Sequence, residues 1–198
     1  MSPPVFCERQ KWGIAVSGLA GLALSASVAA AAEIKSFNLK DESVEISISG
    51  DIAPGDADLL KARIKAANDA GKQVTPLRLN SAGGNLLEAV RLAAAVRSAR
   101  MSTHVGQSAT CASACFLIFA AGETKYASIS ARIGVHRASE KGVVSRDATT
   151  SMADVAKELD VPWSIIRRMI NTPPDEVEWL SFTDLRLMGT TVSRDKER

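Results

Sequence analysis

Between residues 44 and 96 the hydrophobic period runs two, about 3.6, two and about 3.6 again. That rhythm constrains the fold more than any other feature of the chain. Val44-Glu45-Ile46-Ser47-Ile48-Ser49-Gly50 alternates apolar and polar residues and stops at glycine, the pattern of a half-buried strand. Asp56 to Ala70 carries Leu59, Leu60, Ile64 and Ala67 at helical spacing and closes at Gly71. Val74 to Asn80 reads as a second strand, Ser81-Ala82-Gly83-Gly84 as a tight turn, and Leu86 to Val96 as an amphipathic helix. Strands that alternate with helices need crossover connections, so the expected class is α/β.

The remainder continues in shorter pieces. Met101 to Gly106 reads as a strand, Ala112 to Ala121 as a buried helix ended by Gly122, and Tyr126 to Val135 as strand, turn and strand. Ser139 to Arg146 is polar and contains glycine, the composition of a mobile loop. Ser151–Leu159 and Pro162–Ile170 read as two short helices, and Thr172-Pro173-Pro174-Asp175 breaks the pattern. A last helix, Ser181 to Leu187, is capped by Ser181 or Thr183 and stopped at Gly189. With 198 residues, 46% of them hydrophobic, the chain has material for one domain.

Residues 1–32 read as an address label rather than part of the domain. Arg9 and Lys11 precede the soft apolar stretch Trp12 to Ala26, and Ala30 and Ala32 stand at positions −3 and −1 of an expected cut. This is the layout of a secretory signal peptide. The stretch is short and weakly apolar for a permanent span; an uncleaved membrane anchor is the alternative reading. Either way residues 33–198 are expected to be exported, to the periplasm or its equivalent. They form a 166-residue domain of formal charge +1 once Glu8, Arg9 and Lys11 are removed.

Inventory narrows the chemistry. A near-neutral charge and 5% aromatic residues speak against nucleic-acid binding. Two histidines and three cysteines, with Cys7 lost in the leader, leave little for a Cys/His zinc site; no metal or other cofactor is expected. Cys111 and Cys115 remain. An oxidising compartment permits a disulfide between them, although regular helical geometry at i and i+4 suits one poorly, so two buried thiols are the other reading.

Three features can carry chemistry. Paired glycines in Asn80-Ser81-Ala82-Gly83-Gly84 let the backbone turn sharply and present an N–H to an oxyanion; such turns also occur for purely structural reasons. Ser113, in Cys111-Ala112-Ser113-Ala114-Cys115, stands at a helix start, where unpaired N–H groups favour negative charge; the plain reading is a helix cap. His136 follows Ile133-Gly134-Val135 and supplies the neutral imidazole that a serine nucleophile needs, unless it is only a strand-end packing residue. His104, inside the Met101–Gly106 strand, reads as structural.

Taken in order, these pieces resemble the proteolytic subunit of the Clp protease, within the crotonase-like superfamily, and especially exported bacterial ClpP-like proteins with a Ser-Ala-Cys nucleophile segment. The resemblance covers most of residues 44–190. Leu77–Gly84 is similar to the family's strand ending in Asn-Ser-Pro-Gly-Gly. The 33-residue step from Asn80 to Ser113 matches the family's, as does the nine-residue step from Ser113 to Gly122. His136, 23 residues after Ser113, falls within a two-residue deletion of the family's histidine, and Trp179-Leu180-Ser181 resembles its Phe-Leu-Ser.

The resemblance implies a ClpP/crotonase-like fold of repeated β-β-α units, with Ser113 as nucleophile, His136 as general base, and Gly84 and Ala114 as backbone donors of an oxyanion hole. It also implies a serine peptidase and a homo-oligomer; export removes any ATP supply, so the expected activity is ATP-independent and directed at peptides or unfolded segments. Two departures stand out. Gly106-Gln107 lies three residues earlier than the family's Gly-Gln, and the family's triad aspartate falls on Val177. Asp175 is the favoured substitute, with Glu176, Glu178 or a bare Ser-His dyad as alternatives. A catalytically inactive binding or assembly module is the competing function. A coenzyme A ester enzyme of crotonase type is disfavoured by export.

Overall fold

The computed structural model describes Met1, residues 31–140 and residues 143–194. The leader reading therefore falls, apart from Met1, Ala31 and Ala32, outside the described residues.

The alternating segments form strands and helices as the periodicity requires. β1 (Glu33–Asn38), β2 (Val44–Ser49), α1 (Asp56–Asp69), β3 (Val74–Asn80), α2 (Leu86–Ser98) and β4 (Ser102–Val105) build the first half. β5 (Thr110–Ala112), α3 (Ala114–Ala120), β6 (Lys125–Ser128) and β7 (Arg132–Val135) follow. β8 (Ser139–Glu140), β9 (Val143–Val144), α4 (Arg146–Glu158), α5 (Trp163–Asn171), β10 (Glu178–Trp179), α6 (Phe182–Leu187) and β11 (Thr190–Ser193) complete the chain.

Six strands form the main sheet in the order β1-β2-β3-β4-β6-β11. β1 runs antiparallel to β2, and the other neighbours are parallel. Alternation decides which face is covered: Val44, Ile46 and Ile48 of β2 and Leu77 and Leu79 of β3 are buried. A polar row, Lys35, Ser47, Arg78, His104, Tyr126 and Thr191, crosses the opposite face in register. There Arg78 Nε meets Glu45 Oε2 at 2.7 Å, and the His104 ring stacks on Tyr126 at 4.5 Å.

All seven residues of α3 are buried. A helix apolar on every side has to be central, and Phe116 and Phe119 are its largest fully enclosed side chains. Around it a second sheet, β10-β7-β5, leaves the first where Ser81 bridges Cys111. This junction of two sheets and the start of α3 positions the site described below.

Three local readings are corrected. Residues 139–146 are not simply loop: β8 and β9 pair as a short hairpin, Ser139 with Val144 and Glu140 with Val143. Helix α4 starts at Arg146, not Ser151, because Ser145 Oγ accepts the Ala148 N–H and caps it. Ser181, not Thr183, caps α6, in a capping box with Asp184. The strands β1, β5, β10 and β11 have no counterpart among the sequence expectations; β5 and β10 are too short to show a period. Among the described residues no helix is long and apolar enough to cross a membrane.

Candidate active site

The site is built where three segments converge: the Gly83-Gly84 turn, the β5–α3 turn and the end of β7. Asn80 and Ser81 make the first connection. The Thr110 N–H donates to Asn80 Oδ1 at 3.1 Å, the Ser81 N–H to the Thr110 carbonyl at 2.7 Å, and the Ala112 N–H to the Ser81 carbonyl at 3.1 Å. Ser81 is buried, and its Oγ accepts the Gly83 N–H at 3.1 Å.

The glycines are there for space and for backbone angle. Gly83 and Gly84 hold φ +121° and +135°, where L side chains are rarely found. A Cβ on Gly83 would sit 2.7 Å from Ser113 Cβ and 3.2 Å from the Ala114 nitrogen. A Cβ on Gly84 would collide with the Ile52 carbonyl oxygen. Ile52 straps the turn from the other side: its N–H donates to the Gly83 carbonyl and its own oxygen accepts from Asn85, both at 2.8 Å. With the Gly83 N–H held by Ser81, the Gly84 N–H has no partner among the described residues. The Ala114 N–H, first in α3, likewise has no acceptor within its helix. Ile52 and Ser81 are the residues that sequence reasoning missed. An isolated isoleucine and a serine beside glycines carry no signal of their own.

Ser113 has φ 56° and ψ −126°. Positive φ in a non-glycine residue is costly, of order 1–3 kcal/mol, and persists only where its surroundings impose it. Here the Ser113 N–H donates to the Gly134 carbonyl at 3.1 Å, and its carbonyl accepts from Phe116 at 3.0 Å. Although Ser113 occupies the N-cap position of α3, its hydroxyl makes no capping hydrogen bond. Cys111, in β5, and Cys115, in α3, are joined by a disulfide with their Cα atoms 5.2 Å apart. The i, i+4 helical geometry expected for them does not apply, because Cys111 lies in a strand and the Ser113 turn folds the two ends together.

His136 follows β7 and is half-buried. Its Nδ1 lies 2.9 Å from the carbonyl of Arg137, which suits a tautomer with the proton on Nδ1 and the lone pair on Nε2. No hydrogen bond joins Ser113 to His136; both line a cavity of about 740 Å³, together with Gly84 and Ala114. Leu86, Val90, Met152 and Val155 give it an apolar wall, and Glu140 and Asp147 lie on its polar side.

Among the described residues no carboxylate is hydrogen-bonded to His136. Asp175 and Glu176 are exposed in the turn after α5 and make no hydrogen bond to the imidazole. Glu178 pairs with Arg168 at 3.3 Å instead, and Arg168 also holds Asp184 at 2.6 Å. β10 sets Glu178 against Val135, and the ladder ends there: the Arg137 N–H donates to the Thr172 carbonyl and the Glu176 N–H to the Pro173 carbonyl. That segment cannot shift freely, since Val177 and Trp179 pack directly over Gly134.

No family model and no curated protein matches the chain. Solved structures do. The membrane-bound stomatin-specific protease 1510-N, from Pyrococcus horikoshii, superposes with TM-score 0.62 at 18% identity, over 75% of this chain and 78% of that one. The same protease is also known in complex with a substrate peptide. ClpP1 from Listeria monocytogenes matches at TM-score 0.58 and 16% identity, over 77% of this chain and 92% of that one. An enoyl-CoA hydratase from Mycobacterium avium subsp. paratuberculosis matches at 0.53 and 20%, over 83% and 68%. The chain thus has the ClpP/crotonase-like fold, which proteases and hydratases share.

Proposed function

We propose that the chain is an exported, ATP-independent serine hydrolase, a peptidase, in which Ser113 attacks the substrate carbonyl and His136 takes its proton. The observation that carries this reading is the Ser113 backbone. A non-glycine residue held at positive φ on a strand-to-helix turn, its hydroxyl unused by the helix, is the geometry of a displayed nucleophile. In this reading Nε2 of His136 accepts the hydroxyl proton, and the unpartnered Gly84 and Ala114 N–H groups receive the oxyanion. Each such donor is worth roughly 10²–10³ in rate. The serine and imidazole would come into contact when substrate fills the cavity, since catalytic hydrogen bonds are often long in empty sites. The apolar wall suits the side chain of a peptide or an unfolded segment. Two of the structural neighbours are proteases, which supports hydrolysis over hydration.

A second reading, an inactive ClpP-like module for binding or assembly, has one observation in its favour: a backbone carbonyl, not a carboxylate, holds His136 Nδ1. Fluorophosphonate treatment followed by intact-mass measurement separates the two. We expect one adduct on the wild type and none on Ser113→Ala. A wild type that stays unlabelled makes the module reading the better one.

A further inference from the structure

His136 and Arg137 are consecutive in the chain, yet they line different cavities. His136 opens on the candidate site, and Arg137 on a second cavity of about 540 Å³. Helix α4 divides its faces between the two. Asp147, Ser151 and Val155 belong to the first, and Arg146, Thr150, Ala153 and Lys157, again at helical spacing, to the second.

The charge in the second cavity is one-sided. Arg137, Arg146 and Lys157 line it, and Asp154 is the one acid among its described lining residues. Among the described residues none of the three cations is held in an ion pair or a side-chain hydrogen bond. Arg137 is half-buried, and its Nε is fully enclosed without an acceptor. A donor of a charged group left in that state is costly, and an anion joining the guanidinium relieves the cost. Arg146 is the first residue of α4, where the helix dipole disfavours a positive charge, so helix stability does not account for it. The Thr149 and Thr150 hydroxyls donate to the main-chain carbonyls of Ser145 and Arg146, which leaves the cations as the free donors. The remaining wall is apolar and open. Trp163 is 64% and Val144 46% exposed, with Ile170 partly buried beside them.

We propose that this cavity binds a carboxylate carried on an apolar side chain, the chemistry of a peptide's C-terminal residue or of a free branched-chain acid. The planar guanidinium of Arg137 meets the carboxylate through two parallel N–H···O bonds, a geometry that fits it better than a single point charge does. Arg146 and Lys157 add positive charge from α4, and Trp163 and Ile170 take the side chain. The cations alone would suit any anion; the indole and the aliphatic side chains restrict the choice to one with an apolar body. The inference is independent of the catalytic reading, since none of these side chains lines the candidate site.

The test is calorimetric titration of the full-length protein carrying Ser113→Ala, so that a peptide probe is not turned over. The probes are N-acetyl-leucyl-leucine, its C-terminal amide, isocaproate and inorganic phosphate. At least one of the two acids is expected to bind. The peptide acid should bind about tenfold or more tightly than its amide if peptide C-termini are the source, and isocaproate should bind by itself if a free acid is. Arg137→Gln should weaken the bound acid by about tenfold or more. Neither acid binding, a peptide acid that binds no better than its amide while isocaproate does not bind, or phosphate binding as tightly as the acid overturns the proposal. So does an affinity that survives Arg137→Gln. Should that variant not fold, Arg146→Gln with Lys157→Gln, both exposed on α4, replaces it, and an unchanged affinity there overturns the proposal equally.

Discussion

Val177 and His136 show how much one residue decides at this site. They are the next residues beyond the last pair of the β7–β10 ladder, Val135 with Glu178, and valine can neither accept the Nδ1 proton nor stabilise an imidazolium. The Arg137 carbonyl accepts a hydrogen bond there but carries no charge. Val177→Asp places a carboxylate at that point with little change in volume. We expect it to raise the rate of fluorophosphonate labelling by about tenfold or more without moving the thermal midpoint greatly. An unchanged rate would mean that His136 gains nothing from a charged partner. The same substitution in a Ser113→Ala background should give no labelling at all. Asp175, the sequence-based candidate, fails for want of position rather than chemistry: it is exposed and unbonded to the ring.

At the scale of elements, the β5–α3 turn and the α5–α6 corner make separate predictions. The Cys111–Cys115 disulfide ties the strand before Ser113 to the helix after it. Closing so short a loop stabilises the fold by about 2 kcal/mol on chain-entropy grounds. Its larger effect should be on the backbone at Ser113, which is held at φ 56° against its intrinsic preference. Reduction by a dithiol, or Cys111→Ser with Cys115→Ser, is therefore expected to cut serine labelling more sharply than it lowers the melting temperature. Labelling indifferent to reductant would remove the disulfide from any role in the site.

At the other corner, partial burial would raise the Asp184 carboxyl. Hydrogen bonds from the Ser181 hydroxyl and N–H, and the Arg168 guanidinium, outweigh it and hold the group below its ordinary 3.8. A depressed carboxyl contributes stability that is present above its unfolded value and lost as pH falls through the folded one. Asp184→Asn should thus lower the urea midpoint at pH 7 and flatten the acid limb below about pH 4, where the wild type loses this contribution.

For the whole molecule, the proposed function carries an expectation about substrate. An exported peptidase has no ATP-driven unfoldase to feed it. It should cleave short peptides and unfolded chains without nucleotide and leave folded proteins intact. Chromatographic fragment analysis of one protein in native and in permanently unfolded form tests this; nucleotide-dependent cleavage of the native form would contradict it. The association into a homo-oligomer that the resemblance implies belongs to the same scale, and sedimentation of the exported protein reads it directly.

The sequence by itself determined the class and order of the long elements. Hydrophobic period is a local property, and each of β2, α1, β3 and α2 is long enough to show one. It also offered Ser113, His136, Gly84 and Ala114 as candidates, in the order that the family resemblance implies. Tertiary structure alone decided what depends on meeting across the chain. The three-residue strand β5 forms because Ser81 and Arg132 offer it hydrogen-bonding edges, not because Thr-Cys-Ala favours extension. Ile52 became a strap, Cys111 left the helix for a strand, and Val177 packed over Gly134, all through pairings of residues far apart in sequence. Such pairings follow from which buried surfaces fit together, and no local period records that.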